Sequence, residues 1–317
     1  MSFSKNKIII TLILIVLLYV ILIFISDVKK IHDVYFVTNW YILLPIFGVL
    51  FLTIFVRSLI QLSLLKEIDI KLSIKDSFIL YLSSLSMLIT PGGSGLLIKC
   101  HFLNKKFNLS YSKTAPLVFI ERLLDFFGII IFTGFTLNLV YSSESSIITI
   151  ASSLIFITMI IMLKTNKFFS KFILFSQKIK FLKIAFANQS EFNLSLKKML
   201  NKKLFLFFSI VIGLVFIDAI VIYLGFLAFD VDFGYVESGQ IYYTSILLGL
   251  LSFIPGGMGI TEGGMAGLII KKNIDIGSAM AIVLFLRFCT IWAFTGIGAM
   301  TAYISNYYNS KTKNPEK

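Results

Sequence analysis

The stretch Ile241–Ile270, IYYTSILLGLLSFIPGGMGITEGGMAGLII, is apolar enough to enter a lipid bilayer, yet Pro255-Gly256-Gly257 interrupts it near the middle. The apolar run ahead of the break, about 13 residues or roughly 20 Å as helix, falls short of the ~30 Å hydrocarbon layer. Proline then removes a backbone donor and the glycines favour a turn. Phe78–Lys99, FILYLSSLSMLITPGGSGLLIK, reads the same way around Pro91-Gly92-Gly93. Each segment is therefore expected to dip to the midplane and return as a broken, re-entrant helical hairpin. Amides freed at such a break cost several kcal/mol in lipid, so both breaks have to be packed in protein or line a cavity.

Composition places these segments in an integral membrane protein. Of 317 residues, 57% are hydrophobic and 14% are charged, which a soluble core could not accommodate. The net charge of +13 would suggest nucleic acid for a soluble chain. Here 26 of the 29 basic residues (29 less three arginines) are lysines lying outside the cores of the long helices, the excess that fixes membrane topology, so no nucleic-acid partner is expected. Cys100 and Cys289 are far apart, and His32 and His101 lack partners at ligand spacing, so neither a disulfide nor a metal site is expected. With no Gly-x-x-x-x-Gly-Lys-Ser/Thr loop, no nucleotide cofactor is expected either.

Eight apolar segments can be read: Ile8–Ser26, Trp40–Leu65, Phe78–Lys99, Pro116–Val140, Ile147–Leu163, Leu204–Phe229, Ile241–Ile270 and Ser278–Ser305. If all eight crossed, the loop 164–203, with ten lysines against the single acid Glu191, would lie outside and break the lysine rule. If Phe78–Lys99 and Ile241–Ile270 dip in and return, every loop falls on its expected side. The fold class is then an all-α polytopic membrane protein with about six full spans and two re-entrant hairpins. Both termini would be cytoplasmic, and the membrane would be the cell membrane.

The two broken segments belong to an internal repeat. Pro91-Gly92-Gly93-Ser94-Gly95 matches Pro255-Gly256-Gly257-Met258-Gly259 in all but one position. Asn108–Arg122 then lies without gaps over Asn273–Arg287, with capping residues Ser110 and Asp275 two positions in. Repeat 1 spans about 40–140, repeat 2 about 204–305, and the lysine-rich loop separates them within a single membrane domain. The topology makes the repeats inverted copies, a transporter's construction with its site where the broken helices meet. Helices beginning near Ser94 and Thr261 would point positive N-termini at that site and favour an anion.

The only arginines, Arg57, Arg122 and Arg287, all lie in predicted spans, as do Glu121, Asp125, Asp218 and Glu262. A guanidinium fork can hold a carboxylate or phosphate by two hydrogen bonds. Arg122, Arg287 and Lys99 are the candidate headgroup ligands. Glu121 and Asp125 share a helix face, with Arg122 able to pair with Asp125, and Glu262 could orient an arginine or carry a proton.

Pro91–Lys99, Glu121-Arg122-Leu-Leu-Asp125, Pro255–Glu262, Arg287 and Trp292, in this order, resemble the flippase-like membrane domain of lysylphosphatidylglycerol synthetases. The resemblance covers nearly the whole chain and implies lipid translocation, of an aminoacylated phospholipid or alongside polyprenyl-phosphate glycosylation enzymes. Two departures stand out: Leu96 occupies the place of a customary Glu, and only Asn306–Lys317 follows the last span, so no soluble aminoacylating domain is expected. The expected function is a flippase or scramblase for a lipid with an anionic headgroup, more transporter than enzyme. The alternatives are a membrane transferase using a lipid-phosphate donor, or a partner of a separately encoded glycosyltransferase or lipid synthase.

Overall fold

The computed structural model describes residues 39–90, 97–141, 154, 187–252 and 254–312. The predicted spans Ile8–Ser26 and, apart from helical Leu154, Ile147–Leu163 lie outside the described residues. So do Pro91, Gly92, Gly93, Ser94 and Gly95 of the first turn, and most of the lysine-rich loop.

The described elements are all helical. A 3-10 turn at Trp40–Ile42 leads into α1 (Leu43–Glu67). It is followed by α2 (Ile74–Leu85), α3 (Ile98–Phe107), α4 (Tyr111–Tyr141) and α5 (Gln189–Met199). Then come α6 (Lys203–Leu227), α7 (Gly234–Leu251), α8 (Ile260–Ile270), α9 (Ile276–Arg287) and α10 (Ala293–Thr312), the last two joined by a π-helical stretch at Phe288–Trp292. Among the described residues, three helical stretches, Trp40–Glu67, Lys203–Leu227 and Ile276–Ser305, are long and apolar enough to cross a membrane. The 31-residue α4 carries Glu121, Arg122 and Asp125 in its first half.

α1 and α6 run antiparallel. At one end the Asn39 amide donates to the Ala228 carbonyl at 3.2 Å, and at the other Lys203 pairs with Glu67 at 2.8 Å. Between these ends Arg57 of α1 reaches Asp218 of α6 at 3.1 Å.

Both broken segments fold back on themselves instead of kinking through. In the second, Glu237 pairs with Lys272 at the base, Gly264 lies against Ser245 and Leu248 midway, and Gly249 abuts Thr261 and Gly257 at the tip. Such a register is possible only if α8 returns antiparallel along α7. In the first, Asp76 pairs with Lys106 at 2.7 Å at the base, and nearer the tip the Lys99 ammonium sits 4.0 Å over the Tyr81 ring. The first base follows the Glu67 end of α1 and the second follows the Ala228 end of α6, so the hairpins open at opposite ends of the bundle.

Local geometry recurs in the two halves. Among the described residues, the four non-glycine residues with positive φ are Asp69 (65°) and Asp230 (55°), each just after a long helix, and Asn108 (54°) and Asn273 (65°), each just after a hairpin. Ile70 N–H bonds to the Leu65 carbonyl at 3.0 Å, and Val231 N–H bonds to the Phe226 carbonyl at 3.2 Å, the same helix-ending loop. The Ser110 hydroxyl accepts from Lys113 N–H, and the Asp275 carboxylate accepts from Gly277 and Ser278 N–H, so both predicted caps form. Packing is exchanged between the halves: α2 lies on α10, and α7 lies on α4.

Short α5 lies across α4 and α1, burying Phe192, Leu196 and Met199. Its end is tied down by Ser110 to Glu191 at 2.6 Å and Lys198 to Asp69 at 2.8 Å.

The Lys106 ammonium holds the Asp76 carboxyl below the usual carboxylate range, chiefly through their hydrogen bond. A depressed carboxylate stabilises the fold above its unfolded pKa, about 4, and that contribution is lost as pH falls through the lower folded value. With both side chains some 40% exposed, solvent screening keeps it under about 1 kcal/mol. Asp76→Asn should therefore lower the thermal midpoint in detergent slightly at pH 7, and by progressively less as pH falls below about 4. A gap that does not shrink with acidification would assign the effect to packing.

Candidate functional site

Four cations and four carboxylates meet in the helical interior. α1 contributes Arg57; α4 contributes Glu121, Arg122 and Asp125; α3 contributes Lys99; α6 contributes Asp218; α8 contributes Glu262; and α9 contributes Arg287. Each cation bonds a carboxylate, so the eight groups sum to zero charge.

The first cluster is centred on Asp125. One of its oxygens accepts from Arg57, and the other lies 2.7 Å from Arg122 Nη2 in an ion pair, three residues earlier on the same helix. Arg57 also donates to Asp218, so one guanidinium serves two carboxylates on two helices. Beside it Lys99 donates to Glu121 at 2.6 Å, with the Tyr81 ring closing over the ammonium. Lys99 is 1% exposed and Glu121 is 7% exposed. Burying an ion pair this deeply is tolerable only because each charge has a partner at contact distance.

The second cluster builds the Pro255-Gly256-Gly257 turn. Gly256, Gly257 and Gly259 have φ of 61°, 67° and 82°, a left-handed run that side chains resist. Arg287 spans the turn, donating through Nε to Glu262 at 2.6 Å and through Nη2 to the Gly256 carbonyl at 2.6 Å. The other oxygen of Glu262 accepts from Gly259 N–H at 2.7 Å. Arg287 and Glu262 together clip the glycine turn to α9. α7 packs on both α6, which carries Asp218, and α8, which carries Glu262, and so lies between the two clusters.

At the N-terminus of α8 the Gly259 amide donates to the carboxylate of Glu262 in the helix's own first turn. Thr261 is buried in a notch between Gly249 and Gly257. The structure brings Lys99, Glu121, Arg122 and Asp125 together, and it sets Glu262 and Arg287 at the second turn. Sequence reasoning undervalued Arg57, Asp218 and Tyr81. The available signal was that Arg57 and Asp218 are each the lone charge well inside a long apolar span, at matching distances before Asp69 and Asp230.

Fold and site together define an integral membrane protein of apolar helices whose interior carries a neutral ion-pair network between two helical hairpins. The chain belongs to the lysylphosphatidylglycerol synthase TM region family, which it matches over residues 8–298. It is similar to UPF0104 membrane proteins of three archaea. With that of Pyrococcus horikoshii it shares 24% identity over 67% of this chain and 71% of the relative. With that of Methanocaldococcus jannaschii it shares 25% identity over 68% of this chain and 92% of the relative. With that of Methanothermobacter thermautotrophicus it shares 37% identity, but over only 25% of this chain and 24% of the relative. No solved structure matches.

Proposed function

We propose that the chain translocates a lipid with an anionic headgroup, a phospholipid or a polyprenyl-phosphate-linked lipid, by alternating exposure of a midplane site between two inverted repeats. In this reading the hairpins are re-entrant from opposite faces of the cell membrane, and the termini are cytoplasmic. The observation that carries the reading is that two helical hairpins open at opposite ends of the bundle with charged side chains buried between them. The recurrence of left-handed Asp and Asn turns in both halves, and the exchanged packing of α2 on α10 and α7 on α4, support the inverted repeat. Buried ionisable groups in a membrane helix bundle are costly, and such groups characteristically mark a transport path. Lipid handling is also what the family's name suggests.

The test is reconstitution in liposomes with tail-labelled phosphatidylglycerol, or with a polyprenyl-phosphate sugar, following loss of leaflet asymmetry. Wild-type protein should accelerate it. Arg287→Lys should slow it, because a lysine ammonium cannot hold Glu262 and the Gly256 carbonyl as the fork does, whereas Lys271→Arg on the surface should not. Absence of acceleration with every anionic lipid tried rejects translocation. Covalent product from a lipid-linked donor would favour a transferase.

A further inference from the structure

We propose that Arg122 alone among the buried cations takes the headgroup phosphate, and that Arg57 is the positioning residue that lets it leave Asp125. This rests on the translocation reading above. Three of the four cations are committed to the protein itself. Lys99 is enclosed by Glu121 and the Tyr81 ring, Arg287 joins Glu262 to the Gly256 carbonyl, and Arg57 bridges Asp125 to Asp218. Exposure separates them too: the side chains of Lys99 and Arg287 are 1% exposed and that of Arg57 16%, while that of Arg122 is 34% exposed.

Arg122 is also incompletely bonded. Its Nη2 forms an ion pair with Asp125 at 2.7 Å, while its buried Nε has no hydrogen-bond partner among the described residues. Nε and Nη2 form one edge of the guanidinium, the pair of parallel donors that fits two oxygens of a phosphodiester. That edge is half used. A phosphate filling it displaces one oxygen of Asp125, whose other oxygen stays on Arg57, so no carboxylate is stranded in the interior. Binding thus trades one anionic partner of Arg122 for another and leaves the site one negative charge in excess, which keeps it weak enough for a carrier to release its load.

Charge accounting sets the test. In detergent, full-length wild-type protein is titrated with dioctanoyl phosphatidylglycerol, and separately with tail-less glycerophosphoglycerol and inorganic phosphate. Arg122→Lys and Arg122→Gln should weaken lipid binding about tenfold or more. Asp125→Asn frees Arg122 and leaves Arg57 with Asp218, so it should tighten binding severalfold, a gain that damage to the fold would not produce. Arg57→Gln leaves Arg122 as the sole partner of Asp125 and should weaken binding, and adding Asp125→Asn should restore it. Arg287→Lys should bind as wild type even where its flux is slow. Wild-type affinity in a monodisperse Arg122→Lys, or no gain in a monodisperse Asp125→Asn, overturns the assignment. Equal affinity for the tail-less compounds overturns the lipid as the source of the phosphate. Wild type that binds through Arg122 but moves no lipid in liposomes rejects translocation and leaves the binding assignment standing.

Discussion

Arg287→Met should lower the thermal midpoint more than any other single substitution in the described helices, at a cost of about 3–5 kcal/mol. Methionine nearly fills the volume, so the effect is electrostatic. It takes the guanidinium from the Glu262 carboxylate, at 0% exposure, and the donor from the Gly256 carbonyl in a turn held at left-handed φ. Adding Glu262→Gln removes the uncompensated charge while keeping an acceptor for Gly259 N–H, so the double variant should regain part of the loss. Thermal unfolding of the two single variants and the double in detergent measures the coupling. A double variant no more stable than Arg287→Met would show that the pair does not hold the turn.

Gly298→Ala comes next. A methyl group there would sit 2.5 Å from the Ser86 nitrogen and 2.6 Å from the Leu82 carbonyl oxygen, both main-chain atoms that cannot rotate away. α10 and α2 would have to part, at roughly 1–3 kcal/mol, and no neighbouring side-chain change should relieve it. Gly249→Ala is the instructive contrast, because its nearest obstacle is the Thr261 hydroxyl at 2.1 Å. Adding Thr261→Ala should rescue Gly249→Ala in part, whereas truncating Leu82 or Leu85 should leave Gly298→Ala as unstable as before. Midpoints in detergent decide it, and a Gly298→Ala protein of wild-type stability would contradict the close approach.

The second break was legible in the sequence because proline and consecutive glycines state a backbone requirement locally, and the caps at Ser110 and Asp275 were legible for the same reason. The pairing of Arg122 with Asp125 followed from helical spacing. The Arg57 bridge to Asp218 was not, since partners 161 residues apart become neighbours only through the antiparallel packing of α1 and α6. Nor was the early end of α2. Apolar character continues to Ile89, but the helix stops at Leu85. The Ser84 and Ser86 hydroxyls there bond to the carbonyls three residues back, competing with the helical ladder. The charge balance of the site was also hidden, because a list of buried ionisable groups does not say which cation each carboxylate answers to.

The final span is a composite lever. Its first half, α9, touches α8 of one hairpin, its second half, α10, grips α2 of the other, and between them five residues from Phe288 to Trp292 wind in a wider coil than the helices they join. A displacement of either hairpin would therefore reach the other through this continuous helical rod, and the wider coil is where the rod would flex.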